Sequence, residues 1–115
     1  MWSIKQTLNS FEDVYKYLRE YMDFHDYKIG HLSNENNKVF ITIEEDEKNS
    51  TGLIWYFEFE NIEKFIVDND NVMGYWIMEV EKGQDDNEIM FNLDSGYIEV
   101  KAEKVKLGLP NEWKK

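Results

Sequence analysis

The chain has 115 residues, no cysteine, and a formal charge of −11 from 24 acidic and 13 basic side chains. That length suits one ordinary domain with its own core, and the absence of cysteine excludes disulfides, thiolate metal sites and cysteine nucleophiles. The charge argues against nucleic-acid binding, which needs a basic surface to displace counterions from phosphates; the basic clusters are limited to KAEKVK near the end and the final KK.

The first residues, MWSIKQTLNSFEDVYKY, do not combine a basic start with an apolar run, so no signal peptide is expected. No stretch approaches the roughly 18 apolar residues of a membrane span. The expectation is a cytoplasmic protein. Aromatic residues make up 16% of the chain, which argues against disorder.

The first element is a helix over 10–22. Phe11, Val14, Tyr15, Leu18, Tyr21 and Met22 recur at helical spacing. Ser10 is a suitable N-cap, and Glu12 and Asp13 sit where the helix dipole favours negative charge. The period then changes to two. Tyr27, Ile29 and His31 alternate with Lys28, Gly30 and Leu32, SNENN supplies a turn, and KVFITIEE sets Val39, Ile41 and Ile43 against Phe40, Thr42 and Glu44. Two such runs around a polar turn predict a hairpin. DEKNSTG reads as a loop.

LIWYFEFEN is the strongest strand signal, with Leu53, Trp55, Phe57 and Phe59 on one face and Ile54, Tyr56, Glu58 and Glu60 on the other. IEKFIV fits either a helical turn capped by Asn61 or a bent strand. DNDNVMG reads as a loop; Val72 and Met73 stand at the fifth and sixth positions, where a calcium loop needs an oxygen ligand and a glycine. YWIMEVE is expected to bury Trp76, Met78 and Val80, EIMFNLD to bury Ile89, Phe91 and Leu93, and GYIEVKA to bury Ile98, Val100 and Ala102. Beyond Ala102 the phase slips to Val105 and Leu107, the mark of a bulge or bend. Short turns between these runs predict antiparallel hairpins. The predicted fold is α+β: one domain with an N-terminal helix, about six mostly antiparallel strands forming a curled sheet over 27–105, and a C-terminal tail over 108–115. Ile54, Tyr56, Tyr75, Ile77, Met90 and Tyr97 load the nominally outer face with apolar bulk, which implies a cover: the helix, the terminal LPNEW, or a partner.

His25 and His31 are the only histidines. Six residues of extended strand separate them by roughly 20 Å, too far to share a metal, so neither a metal nor a cofactor is expected. Asp26 follows His25 directly. On a strand it would point to the opposite face; in a loop it would bond local amides, leaving His25 to pack beside Phe24 or bond the helix end. No serine lies in a nucleophile elbow and no glycine-rich phosphate loop is present. The outward pairs Glu58/Glu60 and Glu79/Glu81 read as solvated charge that resists aggregation.

An aromatic residue followed by HD and an alternating strand (FHDYKIGHLS), a second strand after a polar turn (NNKVFITIE), and a third running into a short apolar segment (LIWYFEFENIEKFIV) form an ordered set. Over about residues 24–105 this set resembles small bacterial immunity proteins of polymorphic toxin systems and uncharacterised relatives. The resemblance implies a cytoplasmic binding protein that neutralises a toxin, and it brings no catalytic residues. Three readings stay open. One is a non-enzymatic protein-binding domain that contacts a basic partner such as a toxin through Tyr56, Glu58, Glu60, Tyr75 and Tyr97. Another is a small-ligand site or enzyme with a pocket lined by Trp55, Trp76 and Phe91, and His25 or His31 at its mouth. The third is a homo-oligomer that buries the aromatic face.

Overall fold

A computed structural model describes residues 4–45, 52–69 and 76–110. In chain order the elements are β1 (Ile4–Leu8), α1 (Phe11–Glu20), β2 (Lys28–Glu35), β3 (Lys38–Glu44), β4 (Ile54–Asn69), β5 (Ile77–Lys82), β6 (Glu88–Leu93) and β7 (Gly96–Pro110). The class is α+β, and every described ladder is antiparallel. The strands number seven, not six, because β1 pairs with the end of β7. β1 is short and lacks clear alternation, so periodicity alone does not reveal it. The same pairing places Gly108, Leu109 and Pro110 in the sheet, where a tail was expected from residue 108.

The strand order is β2-β3-β4-β7-β6-β5. The sheet is open, and among the described residues an isolated bridge between Lys28 of β2 and Trp76, just before β5, joins its two ends. Its spine is the pair β4–β7. Sixteen residues of straight strand would reach about 50 Å at roughly 3.3 Å per residue, yet the longest extent of the molecule is 34 Å. Both strands therefore bend. On β4 the bend is at Asn61, whose φ is +57°, followed by a register shift between Ile62 and Lys64. On β7 the buried phase changes from Ile98, Val100 and Ala102 to Val105, Leu107 and Leu109, as the slip in the sequence predicts. Asparagine tolerates the left-handed region because its short polar side chain bonds locally. Here the Asn61 amide donates to the Glu103 carboxylate, and its backbone N–H donates to the carbonyl of Asn37 at 3.1 Å. Asn37 belongs to the two-residue β2–β3 turn, where Asn36 and Asn37 both have positive φ, the conformation that matches hairpin twist. IEKFIV is thus bent strand, and the corner rests on a pair of asparagines.

α1 starts where expected, with the Asp13 N–H donating to the Ser10 hydroxyl at 3.1 Å. It ends at Glu20, two residues early, and its buried stripe is Val14, Tyr15, Tyr17 and Leu18. Tyr17 takes the place expected for Tyr21, which is exposed, because the helix is held by specific bonds at both edges of its stripe. The Tyr15 hydroxyl donates to the Asp86 carbonyl at 2.6 Å and accepts from the Glu88 N–H. The Tyr17 hydroxyl accepts the Trp55 indole N–H at 3.0 Å. On β5 a register shift between Ile77 and Glu79 turns Ile77 inward and leaves Met78 exposed, against the expected phase, while Val80 is buried as expected.

The core is aromatic. Phe24, Trp55, Phe57, Phe59 and Phe91 are fully buried and meet edge-on or stacked, with centroids 5.2–6.4 Å apart. Each such ring contributes about 1.5–3 kcal/mol of transfer free energy. Phe24 adopts φ +65°, unusual for a bulky residue, and its burial against Trp55 and Phe57 holds it there. The segment around it also lines the outer edge of β5: the Val80 N–H bonds the Asp23 carbonyl, and Ile77 and Tyr27 pair at 2.8 Å.

Candidate functional site

Since α1 packs on the core side of the sheet, the outer face of β2, β3 and β4 has no cover among the described residues. Register fixes what that face presents. Phe40 stands between Ser33 and Glu58, Thr42 between His31 and Tyr56, and Lys38 between Glu35 and Glu60. Across β4, Tyr56, Glu58 and Glu60 face Gly108, Lys106 and Lys104 of β7.

The face has two characters. At one end is a hollow of about 590 Å³ lined by Gly30, His31, Ser33, Phe40, Thr42, Glu44, Ile54 and Tyr56. The rings of Phe40 and Tyr56 lie 5.8 Å apart and form its apolar wall. Gly30 supplies room: a Cβ there would run into the Glu44 carboxylate. Lys28 reaches toward that carboxylate at 3.9 Å. Thr42 is nearly buried at the floor. Burial, with the Glu58 carboxylate nearby, raises the Tyr56 pKa, so its hydroxyl stays neutral and able to donate at any physiological pH. At the other end the charges alternate. The Lys38 ammonium lies 3.3 Å from Glu60 and 3.6 Å from Glu58, and those carboxylates, Glu60 above all, raise its pKa.

The predicted contact residues separate. Tyr56, Glu58 and Glu60 share this face, as alternation along one strand requires. Tyr97 does not join them. It pairs with Asp68 and Asn92 beyond the corner, eleven residues along β7 from Gly108 (108 − 97), the partner of Tyr56. Tyr75 lies outside the described residues. Glu58 and Glu60 are matched by lysines, so they do not form an acidic spike.

The ligand pocket expected around Trp55 and Phe91 is filled. Both residues are core, and Trp76 is half-buried at the bridge to Lys28. His25 and His31 are not brought together. His25 sits in the turn before β2, half-exposed, with Nδ1 3.2 Å from the Asp26 carboxylate. This corrects the expectation that Asp26 is badly aimed. Asp26 has φ +70°, so strand alternation does not apply, and the carboxylate that bonds a local amide is instead Asp23, at 3.1 Å from the His25 N–H. His31 lines the hollow and makes no side-chain hydrogen bond among the described residues. No group of three or more His, Asp or Glu among the described residues is placed to hold a metal, and no helix among them is long and apolar enough to cross a membrane.

Sequence reading put Phe40, Thr42 and Glu44 on the face opposite the core but did not single them out. Following the outer phase of the β2–β3 hairpin as closely as that of β4 would have found them. In comparisons with protein-family models, with curated proteins and with solved structures, the chain matches none.

Proposed function

We propose that the chain is a non-enzymatic protein-binding domain that docks its partner on the outer face of β2, β3 and β4, with Tyr56 and Phe40 as the anchor. One observation carries the reading: an aromatic-walled hollow on a sheet face that the protein's own helix leaves uncovered. Aromatic anchors seated in a pocket dominate interface energetics. The surrounding Lys38, Glu58, Glu60, Lys104 and Lys106 set register, since alternating charge rejects partners with the wrong pattern. The overall charge of −11 adds attraction at long range for a basic protein. The resemblance in FHDYKIGHLS and the two strands after it extends this to an immunity-like role, in which the partner is a bacterial toxin.

The test is co-expression with the product of the gene adjacent to this one. The intact chain is expected to relieve growth arrest and to co-purify with that product. Tyr56→Arg is expected to lose both while keeping its fold. Equal protection by the two chains, or no association with the neighbouring product, would sink the reading.

A second reading rests on the polar floor of the same hollow. His31, Ser33, Thr42 and Glu44 converge there, and its volume lies within the range of about 300–1,000 Å³ typical of small-ligand sites. A ligand that raises the melting temperature of the intact chain but not of His31→Ala would favour it.

A further inference from the structure

The corner at Asn61 has a second consequence. β3 pairs with β4 only as far as Glu60. From Ile62 to Asn69, β4 has β7 on one side and no strand on the other among the described residues. This edge carries Ile66 and Val67, which are 36% and 40% exposed. Asp68 is also exposed and has no ion pair among the described residues. An edge with unpaired backbone groups and apolar β-branched side chains is a template for another strand.

We propose that this edge pairs with the same edge of a second copy, antiparallel about a two-fold axis at Ile66, to form a symmetric dimer with one continuous sheet. The segment Ile62–Asn69 is self-complementary in that register. With Ile66 opposite itself, Lys64 faces Asp68 of the second copy and Phe65 faces Val67, on both sides of the axis. A one-residue slip would join the inner face of one copy to the outer face of the other. It would also place Glu63 against Asp68, like against like. Slipping by two residues sets Ile66 against Lys64 or Asp68 and, within Ile62–Asn69, loses the match of Lys64 with Asp68.

The faces agree as well. Phe65 and Val67 lie opposite the buried Val100 and Ile98 of β7, so they belong to the core side. Lys64 and Ile66 lie on the outer side, where Lys64 already pairs with Glu99 at 2.9 Å. An isologous contact of this kind closes on itself and does not propagate into fibres. Single-strand addition buries little area, below the roughly 1,200 Å² of stable complexes, so the dimer is weak and concentration-dependent. This edge is distinct from the aromatic hollow, and the inference stands apart from the proposed docking function.

Sedimentation equilibrium of the full chain over a wide concentration range tests it. The mass is expected to rise from monomer to dimer, and Ile66→Lys, which sets like charges on the axis, to stay monomeric with an unchanged circular-dichroism spectrum. The chain has no native cysteine, so a single introduced thiol reports the register. Ile66→Cys is expected to cross-link rapidly with a short thiol-to-thiol reagent, and Met78→Cys, more exposed but on β5, to cross-link far more slowly. A monomer at every concentration overturns the proposal. So does a dimer that persists in Ile66→Lys, or equal cross-linking at the two thiols.

Discussion

The indole N–H of Trp55 donates to the hydroxyl of Tyr17 at 3.0 Å, and both groups are buried. This bond ties the only described helix to the central strand of the sheet, 38 residues away in sequence. Removing one partner strands the other without water. Tyr17→Phe is therefore expected to cost about 1–3 kcal/mol, measured by urea denaturation. Tyr21→Phe, at an exposed site on the same helix, is expected to change stability by less than about 0.5 kcal/mol.

Alkaline stability follows from the same helix. Burial pushes the hydroxyls of Tyr15 and Tyr17 from 10.0 up to about 12. A raised pKa means that the folded state holds its proton where the unfolded chain has released it. The stabilisation is complete below pH 10 and is lost as pH rises toward 12. Unfolding followed by Trp fluorescence between pH 8 and pH 12 is expected to show a steep loss of stability above pH 10. Tyr15→Phe is expected to shallow that loss.

Glu88 is wholly buried, and Lys64 reaches its carboxylate at 3.3 Å. The partner oxygen accepts the Asp85 N–H at 3.2 Å. Lys64→Met leaves this carboxylate without its counter-charge. A cost of about 2 kcal/mol is expected, below the 3–5 kcal/mol of a fully buried pair because Lys64 itself is partly exposed. Lys101→Met breaks a shorter ion pair, 2.9 Å to Asp85, but at a solvated carboxylate. It is expected to cost less than Lys64→Met. The order of the two chemical denaturation midpoints checks this.

At the corner, Asn61→Gly keeps access to the left-handed region but loses the bond to Glu103. Asn61→Val loses both. The expected destabilisation is under about 1 kcal/mol for glycine and roughly 1–3 kcal/mol more for valine. If the two substitutions prove equivalent by thermal unfolding, backbone strain at Asn61 does not hold the bend.

Tyr56→Arg is expected to leave stability nearly unchanged, because the ring lies on the outer face and takes no part in the core cluster. That separation between stability and binding is what a docking residue shows, and thermal melting alongside the co-expression assay measures it.

Much of the fold is legible from local pattern. Ser10 as a cap, the inward runs of β3, β4, β6 and β7, and the slip at Val105 all follow from alternation or capping, which depend on neighbours a few residues apart. Errors arise where one residue changes the phase. The register shift after Ile77 reverses the expected burial of Met78. The positive φ of Asp26 brings its carboxylate to His25, against the rule for strands. Burial of Tyr17 in place of Tyr21 depends on an indole from a distant strand.

The α+β class, the antiparallel strands and the apolar side of most strands follow from local pattern, because side-chain direction along a strand or helix is a local property. That β4 lies beside β7, and that both bend at an asparagine corner, emerges only once the chain is folded. So does the company that Tyr56 keeps with Phe40 and His31 but not with Tyr97. Those outcomes depend on pairing between strands some 40 residues apart, where many registers satisfy the alternation equally. The choice among them falls to close packing of the aromatic core.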